Sequence, residues 1–414
     1  MRGRGIQLVV VAWASILMLA TLAACSSSKA GTTSGPSGAA SSKSAIVIGN
    51  IGSYTGPESA SIGPAESVIK AWATDLNANG GINGHPVKLI VLDDGGNPTT
   101  ALSDAKELVQ DNVVAIVGEI SLVDTAWASV AEAAGVPVIG GQPFTDPFLT
   151  NADFFPSGSN GLARTYGEVA AAKNLGGKFD FLYCVESPVC AQAVPEYKLF
   201  ASDLGITIPV TQSISGSAPS YTAPCLAVKN SGAQSYQVAE ADSVALRIAE
   251  ACSAEGVTAK FIGTAGVIGP DWLPVPSTAG DVNIDLDIPF FVDSTPATKA
   301  YHALLTKYSL GDSSGADGTY GYIGAQLFEA AAKAVPAGAA VTSQSLKTAL
   351  YAMKGETLGG LTPPLTFKKG APTLINCWYV DTIENKQWTT PEGLTPACAP
   401  AASIAAAAVK ILGS

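Results

Sequence analysis

"DLNANGGINGHPVKLIVLDDGGNPTTA", residues 75–101, changes its local rule twice. The Asn/Gly cluster at 77–86 cannot prolong a helix, because Gly loses the most freedom on ordering and Asn favours turns. It therefore ends an upstream helix in which Pro64 suits the first turn and Val68, Trp72 and Leu76 recur on one face. "VKLIVLDD" (87–94) is then a run of strand length and reads as the next strand. "GGNP" turns the chain again, into a helix expected over 98–110.

The same alternation extends both ways. Strands are expected at 45–50, 113–118 and 136–140, with a helix at 123–134. Repeated strand–helix–strand units with right-handed crossovers give a parallel sheet with helices on both faces. After "TDPFLTNADFFPSGSNG" (145–161) the rhythm restarts. Helices at 163–175, 191–204, 221–231 and 242–255 alternate with strands at 179–184, 206–211, 235–240 and 260–264. Two or three helices follow "IPFFVD" (288–293), and "TLINCWYVDTIENKQW" (373–388) reads as a hairpin turning at Glu384 and Asn385. The Ala-rich end from 399 is either a short helix or a frayed tail. The fold class is thus α/β, two doubly wound parallel-sheet lobes. Ligands in such sheets bind outside the carboxyl ends of strands, which selects loops 51–63, 118–124, 141–147, 185–191, 240–243 and 264–272.

Composition narrows the function. From residue 45 onward the chain is longer than one core usually serves. It is 47% hydrophobic and 14% charged, with a formal net charge of -11, so nothing draws it to a phosphate backbone and no nucleic-acid partner is expected. There is no G-x-S-x-G elbow, no phosphate loop of the Walker type and no G-x-G-x-x-G after the first strand. The only histidines are His85 and His302, neither beside a nucleophile. An enzyme is therefore not expected, nor a cofactor.

Seven cysteines include six after residue 25: Cys184, Cys190, Cys225, Cys252, Cys377 and Cys398. Six allow 15 pairings, and proximity in sequence favours Cys184 with Cys190, Cys225 with Cys252, and Cys377 with Cys398. Their spacings lack the paired two-residue gaps of zinc modules, so no metal site is expected.

At the other end, Arg2 and Arg4 precede an apolar run at 6–22, the order of an export signal. Leu22, Ala23, Ala24 and Cys25 resemble the lipobox of bacterial lipoproteins, which implies lipid on Cys25 after cleavage. The Ser/Gly-rich stretch to residue 44 then reads as a flexible tether.

The first lobe resembles the branched-chain amino-acid binding proteins, type I solute-binding proteins of ABC transporters. The match is carried by "GSYTGP" (52–57), by residues 75–101, by "AIVG" (115–118), and by "VPVIG" followed by "TDPFLT" (145–150). The resemblance implies an extracytoplasmic, membrane-anchored monomer. It would capture a small polar molecule by closure of two lobes and pass it to an ABC permease with its ATPase. Lobe one would comprise 45–160 plus 293–357, and lobe two 161–292 plus 358–398, followed by a tail at 399–414. The signal is 1–24 and the tether 25–44. The three crossings are expected near 155–163, 289–295 and 357–364.

In that family a hydroxyl after the third strand and a Thr after the fourth grip the ligand carboxylate. The matching positions are Ser121, or its neighbour Leu122, and Thr145, with Pro143 in the same loop as Thr145. A helix opening at 123 would add N–H groups and a positive dipole end; equally, Ser121 could simply cap that helix. Tyr54 and Ser61 lie in the first loop, and Glu186 follows a strand of the second lobe. The family places an acid after the strand matching 260–264 to meet the ligand ammonium, and Ala265 stands there instead. Glu240, Asp242 or Asp271 could supply the charge; otherwise the ligand lacks an amine and is an amide, a urea or a carboxylic acid. A ligand-sensing receptor module is the competing function.

Overall fold

The computed structural model describes residues 43–56, 59–186, 188–264, 267–311 and 315–413. The signal segment, Cys25 and nearly all of the tether lie outside the described residues.

Lobe one begins with β1 (Ile46–Gly52), α1 (Ser59–Ala78), β2 (Val87–Asp93) and α2 (Pro98–Gln110). β3 (Ile116–Glu119), α3 (Ala128–Ala134), β4 (Val138–Gly141), α4 (Asp146–Thr150) and β5 (Phe154–Phe155) follow. The strand order is β2-β1-β3-β4-β5, all parallel. Asn97 caps α2 by accepting from the N–H groups of Thr99 and Thr100, with Pro98 in the first turn.

Lobe two runs α5 (Gly161–Asn174), β6 (Phe179–Cys184), α6 (Pro188–Leu204), β7 (Thr211–Ile214) and α7 (Thr222–Ser231). It continues with β8 (Ser235–Ala239), α8 (Asp242–Ala254), β9 (Lys260–Thr264) and β10 (Val282–Asp285). The chain then returns to lobe one as α9 (Pro296–Lys307), α10 (Ala316–Lys333) and α11 (Ser343–Ala352), plus the strand pair β11 (Lys354–Glu356) and β12 (Leu365–Thr366). It finishes on lobe two with β13 (Cys377–Glu384), β14 (Gln387–Thr389), β15 (Ala397–Cys398) and α12 (Ala401–Leu412). The second sheet has the order β14-β13-β10-β9-β8-β6-β7, with β13 antiparallel to β10.

Three expectations shift. The third crossing falls after Phe367 rather than near 357–364, because Leu361, Leu365 and Phe367 are buried in the core of lobe one and hold that stretch there. The strand expected at 206–211 lies at Thr211–Ile214. The helix expected from 123 opens as a tight 3-10 turn at Asp124–Ala126, leaving α3 only seven residues. The Ala-rich end is a helix, α12, with Ile404, Ala407 and Ala408 buried in the core that also holds α5 and α6. The hairpin turns at Asn385 and Lys386, both at positive φ.

All three disulfides favoured by proximity form, Cys184–Cys190, Cys225–Cys252 and Cys377–Cys398, and all lie in lobe two. Among the described residues lobe one carries no disulfide, and one of its closest contacts is glycine on glycine. α10 crosses β3 and β4 so closely that a Cβ on Gly140 would sit 2.1 Å from the Gly324 Cα. One on Gly324 would sit 2.8 Å from the Gly118 Cα, and one on Gly118 would sit 2.8 Å from the Gly321 carbonyl oxygen. Backbone meets backbone there, so no rotamer change can relieve an added side chain. Gly324→Val should lower unfolding stability by about 1–3 kcal/mol or more, read as a reduced midpoint in urea; an unchanged midpoint would refute this account of the contact.

Candidate functional site

In each sheet the chain reverses its direction of travel once. In lobe one the reversal lies between β1 and β3, and in lobe two between β6 and β8. Loops diverge at such points and leave a crevice beyond the strand ends. The two crevices face one another across a cavity of about 120 Å³. Ser61, Ile62, Leu122, Gln142, Phe144 and Asp317 line it from lobe one. From lobe two come Arg164, Phe181, Tyr197, Gln237, Glu240 and Thr264, with the Cys190 half of a disulfide beside them. The Asp242 backbone N–H donates to Ser61 Oγ at 3.2 Å, so the lobes already touch at the rim.

Of the residues singled out in the sequence, Ser61, Leu122 and Glu240 line this cavity, and six others do not. Tyr54 is buried and donates its hydroxyl to Asn50 Oδ1 at 2.5 Å. Pro143 is buried, with its carbonyl accepting from the Gly161 N–H at the start of α5. Glu186 sits on an exposed loop and accepts from Ser215 and Gly216. Asp242 accepts from the Trp272 indole at 2.6 Å, and burial raises its carboxyl to about 6. Ala265 lies outside the described residues.

Ser121 and Thr145 miss the cavity for a shared reason. The position where a ligand carboxylate was expected is filled by carboxylates of the protein itself. Ser121 Oγ donates to Asp94 Oδ2 at 2.5 Å, and its N–H donates to Glu119 Oε2 at 2.9 Å. Ser53 donates to the other Asp94 oxygen at 2.7 Å. Thr145 donates its hydroxyl to Asp124. Asp94, Glu119 and Asp124 are all buried, and burial pushes Glu119 far up and Asp124 to about 7. The hydroxyls of Ser53, Ser121 and Thr145 are thus committed to the protein's own acids rather than to a ligand carboxylate.

The cation lies on the opposite wall. Arg164, on the first turn of α5, has a side chain 14% exposed and is the one basic residue among those lining the cavity. Burial opposes its charge, yet the acidic groups around it outweigh burial and keep the guanidinium protonated. Its Nε lies 3.8 Å from Glu168 Oε1 without a hydrogen bond, and its guanidinium lies over the Phe144 ring at 4.9 Å from the centroid. Across the cavity, Gln142 Nε2 donates to Asp317 Oδ1 at 2.7 Å.

Arg164, Gln142, Phe144, Tyr197, Gln237 and Asp317 escaped the sequence reading. One signal was present for Arg164. It and Arg247 are the only arginines after Cys25 in an acidic chain. Its Glu partner four residues on gives the spacing of an exposed helix pair, which hides a burial that only the packing of α5 creates.

A profile described as "Periplasmic binding protein" matches residues 45–387, and the chain belongs to that family. An amino acid binding protein of Pseudomonas aeruginosa is 35% identical over 124 residues, which cover 30% of this chain and 32% of that protein. The matched segment thus spans about a third of that relative. Among solved structures, a branched chain amino acid ABC transporter protein from Thermus thermophilus with bound valine superposes with a TM-score of 0.78 at 16% identity, covering 90% of this chain and 99% of that one. A fatty acid ABC transporter substrate-binding protein from Thermomonospora curvata gives 0.70 at 20% identity, covering 86% and 95%. An R. palustris solute-binding protein in complex with 4-hydroxybenzoate gives 0.67 at 20%, covering 83% and 93%. These likenesses establish the two-lobed fold of type I periplasmic binding proteins.

The acid-filled pocket gives a prediction. Asp124 has a folded pKa of about 7, above its unfolded value, so its contribution to stability declines as pH rises from about 4 to 7. Thr145 donates to it and favours the ionised form. Thr145→Val should cost about 1–3 kcal/mol, more at pH 8 than at pH 5, in urea unfolding at the two pH values. An equal or smaller loss at pH 8 would contradict the pairing.

Proposed function

We propose that this chain is the solute-binding component of an ABC importer. It works outside the cytoplasm, is tethered to the membrane through lipid on Cys25, and closes on a small molecule bearing a carboxylate. Membership of the periplasmic binding protein family supports the capture role. The observation that carries the ligand chemistry is Arg164, a guanidinium largely withdrawn from water on the wall of an interlobe cavity, with its Nε making no hydrogen bond. Guanidinium groups in such settings recognise carboxylates by paired, charge-assisted hydrogen bonds.

The remaining walls set the rest of the molecule. Ile62, Leu122, Phe144, Phe181 and Val267 offer apolar surface, while Glu240 and Asp317 can meet a donor group. An amino acid therefore fits if its ammonium faces those carboxylates, and an amide or simple organic acid fits without an ammonium. The cavity, about 120 Å³ and open at one side, suits a small molecule.

A thermal-unfolding screen of residues 44–414 against amino acids, amides, ureas and small carboxylic acids tests this reading. Ligand at about 100 times its Kd adds roughly 2.7 kcal/mol of stability, and Arg164→Gln should weaken carboxylate binding by about a hundredfold or more. A response confined to uncharged compounds, or equal binding by Arg164→Gln, would overturn it. For the anchor, Cys25→Ser should release the protein into the medium with ligand affinity intact, whereas unchanged membrane retention would remove that part of the proposal.

A further inference from the structure

Beneath Arg164 three buried side chains close a ring. Tyr197 Oη contacts both Glu168 Oε2 and Gln237 Oε1, and Gln237 Nε2 contacts Glu168 Oε1 at 3.2 Å. Each of the three contacts needs one hydrogen. Tyr197 supplies one, and the Gln237 amide supplies one whichever way it is turned, since only one end of the amide carries hydrogens. An ionised Glu168 supplies none. The ring is two hydrogens for three contacts unless the carboxyl itself is protonated.

From this count we infer that Glu168 is held as a neutral carboxylic acid and sets the charge of the cleft. With Glu168 neutral, Arg164 is left available to an incoming carboxylate. The electrostatics agree. Burial pushes Glu168 up to about 7, against the pull of Arg164 and the hydrogen bond from Tyr197. The charges facing it are Arg164 on its own helix and Glu196 on α6, which accepts from Thr165 at 2.9 Å. Gln237 is its contact on β8. Of the other elements packed on α5, β10 and β13 bring Asp285 and Asp381, which lie side by side, with Asn283 donating to Asp285 at 3.1 Å; β9 brings Lys260, which donates to the Ala279 carbonyl, and α12 brings Lys410, which is exposed.

Two acids, Glu168 and Glu196, share one guanidinium, and a bound carboxylate would be a third. Buried charge left uncompensated is expensive, so an anion on Arg164 favours the proton on Glu168. By linkage, affinity for a carboxylate is level below about pH 7 and falls by up to about tenfold per pH unit above it. Uncharged ligands escape that fall. This second half rests on the proposed carboxylate ligand; the protonation of Glu168 does not.

The unliganded protein decides the matter by infrared spectroscopy. Subtracting the Glu168→Gln spectrum from wild type cancels the other buried carboxyls. A carbonyl band of a protonated acid should remain at pH 6 and vanish by pH 9. In the Arg164→Gln background, where the cation is removed as a bound anion would neutralise it, the same difference should keep its band at pH 9. Gln at 168 can donate the third hydrogen of the ring, so the variant is expected to fold. Should it not, carbon-13 NMR of glutamate-labelled wild type reads the same titration as one carboxyl changing near pH 7. No acid band at pH 6, or no glutamate titrating near 7, overturns the inference; a band insensitive to Arg164→Gln overturns the coupling. Failure of every carboxylate in the ligand screen would instead remove the proposed ligand class and leave the infrared result standing.

Discussion

Lobe one exists as a folded body only because a helix from the far end of the chain can press its backbone against the sheet. α10 is separated from β3 and β4 by most of lobe two in sequence, yet it lies on them at the distance that only paired glycines permit. Closeness of that kind removes water from both backbones and strengthens dispersion along the crossing. It also fixes the start of the helix. Asp317, in the first turn of α10, is thereby carried to the cavity and held against Gln142. The glycine crossing is thus a positional constraint as much as a packing one, because it sets where one wall of the cleft can be.

The charges of the cleft follow from a division of labour between the lobes. Lobe one buries Asp94, Glu119 and Asp124 just behind the loops that follow its strands. Their hydrogen bonds come from Ser53, Ser121 and Thr145, so the hydroxyls nearest the strand ends are already committed to the protein. Lobe two supplies the guanidinium. On the proposed reading an anion would be met across the cleft from where the family resemblance placed it, because the hydroxyls expected to grip it already serve buried acids.

The sequence made the larger frame legible because that frame is written in local rules. Apolar runs of strand length, the Asn/Gly turn at 77–86 and the proline-opened helices each fix an element without reference to distant residues. The disulfides were legible for the same reason, being local in sequence. What escaped depends on contacts between remote segments. The 3-10 turn at Asp124–Ala126 that shortens α3 carries a buried Asp124 bonded to the distant Thr145, which no periodicity reports. Arg164 reads as an exposed helix pair until β13 is laid against α5, where Trp378 meets Gly167. The third crossing was misplaced because Leu361 and Leu365 belong to a core assembled from both ends of the chain.

The three disulfides have a consequence for the molecule as a moving object. Covalent staples reduce the freedom of the unfolded chain, and all of them lie on one side of the hinge. One half of the protein is therefore a braced platform, and the described residues of the other half keep their shape through packing and hydrogen bonds. Local opening is cheapest in the unbraced half. On the proposed reading, a solute arriving between them would meet a firmer anvil bearing the guanidinium and a softer jaw bearing the acids, and the adjustments to its outline would fall on the jaw.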